Sequence, residues 1–413
     1  MKHKIFFIII NIFIVCVLLV ILEVSAHLVP GKKDLLEEIV NVLEEDSLLF
    51  WRQKPNLQTM FQDFPVETDS LGLRVNRYAY QQGTGHIFRI VCLGASPTFG
   101  WAVKYEDTYS CQLEKMLNKS YGKNKAYEVI NAGVIGYSSY QGLLFLKRDI
   151  LKLKPDLITV AYGLNDADRH RFFRSNGKSD KELKPKSLFL VSLENLLNRS
   201  LFFRLCKNFI FKVESVRTEF SGNKGDVYFG RLRVSAQDFR NNINEIIRIA
   251  NQNGIKVILV KIPINSASSE EKPLIQQAQY DIALSRGLDY LKAKRINDAI
   301  VQFKDALTYD SSSSRAFFYL AACYEMKKEP VAAQDYFQEA KKMQVVQLRT
   351  DLEVYNGIIE EIAEAKEVPL ADAGPDFIRN KEKKLFATPI HPNNEGHKIV
   401  ATVIYDAMLR YNL

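Results

Sequence analysis

The sequence predicts an α/β fold in which a parallel sheet is flanked by helices. Apolar, strand-like runs alternate along the chain with helical stretches of ten or more residues, a pattern typical of βαβ units. Three of the runs end in polar loops that carry Ser96, Gly136 and Asn165. Because the carboxyl ends of parallel strands meet at one edge of a sheet, we expect these three loops to lie together.

The elements of the sheet domain follow in order from these runs. Strands are predicted at 87–93, 127–131, 157–162 and 256–262, with a last strand at 368–372. Helices are predicted at 107–118, 140–151, 236–251 and 394–409. Gly254 is placed to end the third of these helices, since glycine readily takes the left-handed conformation that closes a helix.

The N-terminus carries an apolar run over residues 5–22 that is broken only by Asn11 and preceded by Lys2 and Lys4. Its length approaches that needed to cross a bilayer. The lysines are expected to stay in the cytoplasm. Residues 1–22 are therefore predicted to be a transmembrane anchor, with the rest of the chain periplasmic or on the cell surface. A cleaved signal peptide is the alternative, because the residues at 24–26 offer a cleavage site.

Residues 23–85 are interpreted as a juxtamembrane stem. Apolar residues recur at helical spacing between 35 and 43, which predicts a helix over 33–49. The segment 68–74, which ends in Arg74, is expected to pack against the sheet domain.

Composition and charge bound the function classes. A chain of 413 residues allows two or three domains with a sizeable core. The net charge of +8 equals the excess of 12 basic over 4 acidic residues within 169–217 alone. The remainder is near balance and carries no nucleic-acid motif, so nucleic-acid binding is excluded.

The basic segment lies in a predicted insert over 169–230. Residues 192–212 mix apolar and basic side chains, as an amphipathic helix does. Such a helix could lie on an anionic bilayer or bind an acidic glycan. The alternative is a helix packed on the core with a solvated basic face.

A second insert, predicted at 270–347, contains a repeat. Segments 280–313 and 314–347 are offset by 34 residues and share aromatic and small residues at matching positions. The matched pairs are Tyr290 with Tyr324, Ala299 with Ala333, Phe303 with Phe337, and Ala306 with Ala340. This pattern resembles tetratricopeptide repeats. Residues 280–347 are expected to bind a protein partner or the substrate, and a purely structural role is the alternative.

No cofactor or metal site is expected. The five cysteines match no zinc spacing and are interpreted as buried small residues, with one disulfide left open. His391 and His397 are six positions apart, which is not the spacing of two metal ligands on one helix face. His397 is expected to pack the start of the last helix.

Four short blocks follow one another along the chain, each behind a strand or in a loop. They are Gly94-Ala95-Ser96, Asn131-Ala132-Gly133-Val134-Ile135-Gly136, Gly163-Leu164-Asn165-Asp166 and Thr388-Pro389-Ile390-His391. Their order of Ser, Gly, Asn and His resembles the SGNH (GDSL-like) hydrolase family, specifically its membrane-anchored bacterial members. The resemblance covers roughly 65–265 and 348–413, and the hydrolase domain is expected to comprise 86–265 and 348–413.

The resemblance implies a flavodoxin-like sheet and assigns a role to each residue. Ser96 would be the nucleophile, and His391 would be its general base and then the general acid. The backbone N–H groups of Ser96 and Gly136, with the side-chain amide of Asn165, would form the oxyanion hole.

Two positions depart from the family pattern. Ala95 replaces a usual aspartate next to the nucleophile, which leaves the serine itself intact. Thr388 stands where the family places the aspartate that orients the histidine. Three interpretations are open: Thr388 or a backbone carbonyl holds His391, Asp372 or Asp376 substitutes, or the site is weak or inactive.

The resemblance thus implies an extracytoplasmic esterase that hydrolyses or transfers a small acyl group, acetyl being the first expectation. The ester would belong to an envelope glycan or lipid. The alternative is a non-catalytic assembly factor of the envelope that binds partners through residues 280–347.

Overall fold

The computed structural model describes residues 2–28, 35–75, 87–121, 126–168, 179–207, 232–265 and 274–413. The helices, in chain order, are α1 (Lys2–Leu28), α2 (Leu35–Val42), α3 (Ser96–Phe99), α4 (Tyr109–Tyr121), α5 (Ser139–Arg148), α6 (Leu188–Leu197), α7 (Ala236–Gln252), α8 (Leu274–Lys292), α9 (Ile296–Tyr309), α10 (Ser314–Met326), α11 (Pro330–Ala365), α12 (Gly374–Arg379) and α13 (Asn394–Arg410). The strands are β1 (Leu43–Asp46), β2 (Phe50–Gln53), β3 (Gln58–Phe61), β4 (Phe64–Glu67), β5 (Ile87–Gly94), β6 (Ala126–Gly133), β7 (Leu157–Ala161), β8 (Lys256–Lys261), β9 (Leu370–Asp372), β10 (Phe386–Thr388) and β11 (His391–Pro392).

The chain divides into two compact units. The first, which we call the N-terminal unit, comprises residues 1–52 and 184–218, and the second, the sheet unit, comprises 53–183 and 219–413. The predicted stem over 23–85 is therefore split between the two units.

The N-terminal unit contains α1, which continues to Leu28, six residues beyond the predicted anchor over 1–22. Within the part of the chain that the structure describes, no helix has both the length and the apolarity needed to cross a membrane. The predicted transmembrane anchor is not confirmed.

The helix predicted over 33–49 is wrong in its second half. Helix α2 ends at Val42, and β1 and β2 follow and pair with each other. The Asp46 carboxylate accepts the backbone N–H groups of Leu48 and Leu49 at 2.9 and 2.8 Å, which builds a turn in place of a helix. Phe50 completes the turn with φ of 70°. An aspartate that bonds its own backbone competes with helix, which the apolar spacing alone did not reveal.

The sheet unit is built on five parallel strands in the order β6-β5-β7-β8-β9. All five strands were predicted, although β9 is two residues shorter than expected. Side chains of β5 alternate, so that Ile90 and Cys92 point into a core formed with α4 and α13. Leu113 and Ile404 fill that core from the two helices. The carboxyl ends of the strands are left to carry the polar loops.

Four helices, α8 to α11, occupy the second predicted insert, and each packs on the next. Phe303 and Tyr319 stack at 5.1 Å in their core. A Cβ at Gly287 would lie 2.5 Å from Phe303, so a small residue is required where these helices cross. The assignment as tetratricopeptide repeats remains a prediction. Helix α11 has 36 residues and continues without a break past the predicted boundary at 348.

The basic insert predicted over 169–230 is described only at 179–207. The helix predicted over 192–212 is divided there, because α6 ends at Leu197 and helical structure resumes at 201. Residues 169–178 and 208–230 lie outside the described residues.

The four cysteines whose side chains the structure describes are free thiols. Cys92, Cys111 and Cys323 are buried, and Cys206 is partly exposed. Among the described residues, no group of three or more histidine, cysteine or carboxylate side chains is arranged to hold a metal ion.

Candidate active site

Ser96 lies on a sharp turn between β5 and the short helix α3. The extended residue Ala95 precedes it, and Ser96 itself is buried as the first residue of α3. A Cβ at Gly133 would lie 2.2 Å from the backbone nitrogen of Phe99, so glycine allows α3 to rest directly on β6. The turn therefore holds the serine hydroxyl at the carboxyl edge of the sheet.

His391 reaches Ser96 from a hairpin 295 positions further along the chain. Strands β10 and β11 form this hairpin, in which Thr388 and His391 are paired across a two-residue turn. The Nε2 atom of His391 lies 2.9 Å from the Oγ of Ser96. The Nδ1 atom lies 2.7 Å from the Oγ1 of Thr388. The three side chains form one chain of hydrogen bonds.

The two aspartates considered as substitutes are engaged elsewhere. The Asp372 carboxylate accepts from the Lys261 Nζ and from the Gly374 N–H, both at 2.9 Å. Asp376 forms an ion pair with Arg379 at 2.6 Å. Thr388 is therefore the side chain that orients His391.

Burial sets the charge of His391. Desolvation, together with repulsion from nearby His397, lowers the pKa of His391 to about 3. At neutral pH the imidazole is uncharged. When Nδ1 carries the proton and donates to Thr388, the lone pair of Nε2 faces the Ser96 hydroxyl. This is the tautomer that a general base requires.

An aromatic ring covers one face of His391. Trp101 stacks on the imidazole with ring centroids 4.7 Å apart and planes inclined by 3°. Phe61 meets the same indole edge-on at 4.7 Å and fixes its position. The indole face carries partial negative charge, so it favours an imidazolium once the histidine takes a proton. Trp101 was not singled out from the sequence.

Gly136 and Asn165 lie on two loops joined by a hydrogen bond. The side-chain amide of Asn165 donates to the Tyr137 carbonyl at 2.9 Å, which uses one of its two N–H bonds. Gly136 takes φ of 79°, a conformation suited to glycine. The oxyanion hole formed by Ser96, Gly136 and Asn165 remains a prediction.

A buried ion pair braces the Gly136 loop, and neither partner was predicted. Arg233 donates to the Gly136 carbonyl at 2.7 Å and to the Asp180 carboxylate at 2.8 Å. Asp180 also accepts a hydrogen bond from the hydroxyl of Ser138, which is the N-cap residue of α5. In the sequence, Asp180 lies in the charged insert over 169–230 and Arg233 lies just after it. No spacing rule links the two residues, so the sequence alone could not predict their ion pair.

A second buried carboxylate braces the Asn165 loop. Asp166 accepts from the backbone N–H of Ser139 at 2.9 Å, from its hydroxyl at 2.5 Å, and from the Gly163 N–H at 3.1 Å. Burial raises the pKa of Asp166 to about 6. The carboxylate ties the Asn165 loop to the start of α5.

Arg74 holds the other end of the nucleophile turn. Its guanidinium donates to the carbonyls of Phe99 and Gly100, each at 2.7 Å, and to that of Val103 at 2.8 Å. Burial lowers the pKa of Arg74 to about 10. The segment 68–74 thus packs against the sheet domain, as expected.

A small recess adjoins the catalytic turn, and a larger cleft opens from that recess. A recess of about 20 Å³ is lined by Ala95, Pro97 and Ile390, the neighbours of Ser96 and His391. A cleft of about 690 Å³ shares five lining residues with it and extends toward α12. The shared residues are Lys261, Ile262, Ile264, Leu352 and Asn356.

No protein-family model matches the sequence, and no curated protein matches it. Solved structures that resemble this one include a GDSL-like lipase from Bacteroides thetaiotaomicron, with 15% identity, a TM-score of 0.34, and coverage of 78% of this chain and 89% of that chain. The lipase/acylhydrolase from Enterococcus faecalis has 13% identity, a TM-score of 0.38, and coverages of 78% and 96%. An acetyl-xylooligosaccharide esterase, Axe2, from Geobacillus has 12% identity, a TM-score of 0.40, and coverages of 78% and 93%. These structural neighbours are lipases and esterases. Every one of these TM-scores is below 0.5.

Proposed function

We propose that this protein is a serine esterase of the SGNH type that removes a small acyl group from an oxygen ester. The observation that carries the proposal is the hydrogen-bonded chain from Thr388 through His391 to Ser96, with distances of 2.7 and 2.9 Å. A serine hydroxyl becomes a nucleophile when a neutral base adjoins it, and this chain supplies that base.

The reaction follows from these contacts. His391 takes the Ser96 proton as the serine oxygen attacks the ester carbonyl. The resulting oxyanion would be bound by the N–H groups of Ser96 and Gly136 and by the free N–H of Asn165. His391 then returns the proton to the departing alcohol, which leaves the acyl group on Ser96. Water, deprotonated by the same histidine, releases the acid and restores the serine.

In the usual triad an aspartate both orients the histidine and stabilises its charged form. Here Thr388 has the first role and Trp101 the second. The Thr388 hydroxyl accepts a hydrogen bond from the Nδ1–H group of His391 and so orients the ring, but the hydroxyl carries no charge. The indole face of Trp101 stabilises the imidazolium by roughly 0.5–2 kcal/mol. Neutralising the aspartate in a serine protease lowers the rate about 10⁴-fold, largely through the wrong tautomer. We infer that this site keeps the correct tautomer and loses only part of the electrostatic support.

The two cavities support a small acyl group on a large alcohol. The recess of about 20 Å³ beside Ser96 suits an acetyl group, and the cleft of about 690 Å³ suits a chain of sugars. Lys381, Lys383 and Lys384 line the cleft. We propose an acetylated glycan, or a lipid carrying such a glycan, of the cell envelope. Export is supported by the lysines that precede the apolar residues 5–22.

A sugar hydroxyl could replace water in the second step, which would make the protein an acyltransferase. The cleft favours this variant, because it offers room for an acceptor beside the acyl-enzyme. A non-catalytic scaffold is the second candidate function. Its support is the exposure of Ile282, Val301 and Val331 on the helices of the second insert, where a protein partner would bind.

The test is hydrolysis of p-nitrophenyl acetate and butyrate by the full chain and by Ser96→Ala. We expect turnover of the acetate, a lower rate with the butyrate, and loss of both in Ser96→Ala. The matched control is Ser285→Ala, which alters an exposed serine of α8. Turnover that survives in Ser96→Ala would contradict the acyl-enzyme. A cellular phenotype that survives in this variant would favour the scaffold.

A further inference from the structure

Helix α6 of the N-terminal unit turns its apolar side to the solvent. Seven of its ten residues are large and apolar, and only Val191 among them is buried. Leu188 and Phe189 are each 74% exposed. The other exposed members of this apolar face are Leu190, Leu193, Leu196 and Leu197. A helix on a water-soluble surface has the opposite arrangement, with its apolar stripe inward.

Two of the three polar residues of α6 point into the unit instead, and the third, Ser192, is exposed. Asn195 exchanges two hydrogen bonds of 2.9 Å with the backbone of Glu45. Glu194 accepts from Lys186 at 2.8 Å and from Lys207 at 2.6 Å. These contacts fix the rotation of the helix, so the apolar face is held outward by specific bonds.

The C-terminal end of α1 is tied to the same region. The Glu23 carboxylate accepts from the Ser200 hydroxyl at 2.6 Å and from the Leu201 N–H at 2.8 Å. This bonds α1 to the start of the helical residues 201–207. The last two turns of α1 also expose Ile21, Leu22, Val24 and Leu28. Two elements of one unit thus leave apolar side chains uncovered.

Basic charge accompanies the apolar face. Residues 184–207 contain five lysines and arginines against one acidic residue. Lys184 and Arg199 are exposed and lie just beyond the two ends of α6. An apolar face flanked by cations complements the acyl chains and anionic headgroups of a bilayer.

We propose that α6 docks on an anionic lipid bilayer, with its apolar face about 5–10 Å into the boundary between headgroups and acyl chains. The orientation of α6 carries this inference, since Glu194 and Asn195 are hydrogen-bonded inside the unit while the apolar side chains face outward and need an apolar medium. The proposal goes beyond the esterase function and does not depend on it.

The experiment places a fluorophore on the docking face of the full chain. Phe189→Trp is mixed with vesicles of phosphatidylcholine and phosphatidylglycerol whose acyl chains are brominated, because bromine quenches a buried tryptophan. Val331→Trp is the matched control, since Val331 is 76% exposed and lies on α11 in the sheet unit. The signal of Trp51 and Trp101 is subtracted with the unsubstituted protein.

We expect the added fluorescence of Phe189→Trp to fall at least twofold on brominated vesicles, and that of Val331→Trp to stay unchanged. Leu193→Ser combined with Leu196→Ser should reduce the quenching, while an unchanged far-ultraviolet circular dichroism spectrum reports that the protein remains folded. Equal signals on brominated and ordinary vesicles would overturn the proposal. So would a concentration-dependent blue shift without vesicles, which would assign the face to a second copy of the chain.

Discussion

The residue that sets the chemistry of this site is Thr388, because it puts a hydroxyl where a carboxylate would add charge. A carboxylate beside His391 would raise the pKa of the imidazole, whereas burial and the nearby His397 lower it. The base is therefore uncharged over most of the accessible pH range. The low pKa makes His391 a weak proton acceptor, but the uncharged form that accepts the proton is present throughout that range.

The pH profile should show this difference. Because the pKa of His391 in the enzyme without substrate is about 3, kcat/KM should be flat from about pH 5 to 8. In Thr388→Asp the new negative charge favours the imidazolium, so the pKa rises and activity should fall below about pH 6 to 7. The measurement is kcat/KM for p-nitrophenyl acetate against pH. Thr388→Asn is the uncharged control and should keep the flat profile. An acid limb near pH 6.5 in the unsubstituted protein would contradict the prediction.

The sequence could not decide how His391 is held. The family order of the motifs links Ser96 with His391, and the structure has them 2.9 Å apart. The order left Thr388, Asp372 and Asp376 open, because Thr388 is three residues before His391 and both aspartates lie in the preceding segment. Only the pairing of Asp372 with Lys261 in three dimensions removes that carboxylate from the site.

At the scale of elements, the catalytic loops are braced by buried polar side chains that come from distant segments. Arg233 reaches the Gly136 carbonyl from the residues before α7, and Arg74 reaches the end of α3 from before β5. Each loop is therefore positioned by tertiary contacts as well as by the strand that precedes it. A brace of this kind would order the proposed oxyanion donors before substrate binds.

Variants of the ion pair between Arg233 and Asp180 can distinguish its contribution to stability from its contribution to catalysis. Arg233→Met leaves the Asp180 carboxylate buried without its cation, which should lower the free energy of unfolding by about 3–5 kcal/mol. Arg233→Met combined with Asp180→Leu removes both charges and should recover most of that loss. We expect kcat to stay low in both variants, because the Gly136 carbonyl has lost its donor.

Urea unfolding and steady-state kinetics on the same preparations check this prediction. A double variant with wild-type kcat would show that the ion pair serves stability alone. A single variant as stable as the parent would show that Asp180 finds another partner.

Prediction of the elements succeeded where burial is continuous. The strands of the sheet are apolar runs covered on both faces, and such runs are visible without knowledge of the fold. The helix over 33–49 failed at Asp46, where a side chain bonding its own backbone starts a turn. The ion pair of Arg233 and Asp180 could not be foreseen, because it exists only once three separated segments meet.

At the scale of the whole molecule, the second insert shares an element with the catalytic cleft. Helix α11 packs through Phe337 and Ala340 in the insert, and its later residues Leu352 and Asn356 line both cavities. The surface proposed for a partner and the cleft proposed for substrate are therefore carried on one helix.

The cleft can be tested with two adjacent positions of α11. Glu353 lines the larger cleft, whereas Val354 is exposed on the same helix and lines neither cavity described here. Glu353→Trp should raise KM for an acetylated oligosaccharide roughly three- to tenfold, which corresponds to about 1 kcal/mol of binding. Hydrolysis of p-nitrophenyl acetate should not change, because that ester carries no sugar chain to occupy the cleft. Val354→Trp should leave both activities unaltered, and equal effects of the two variants would refute the assignment of the cleft.

Because α11 is continuous, it also limits where residues can be inserted into such a protein without moving the cleft. Each residue added within an α-helix rotates everything beyond it by about 100° and advances it by 1.5 Å. An insertion between the packed insert and Leu352 would turn the cleft wall away from Ser96. A further pair of helices could be added before α8 without altering that angle. The helical insert can thus be lengthened before its first helix but not within its last.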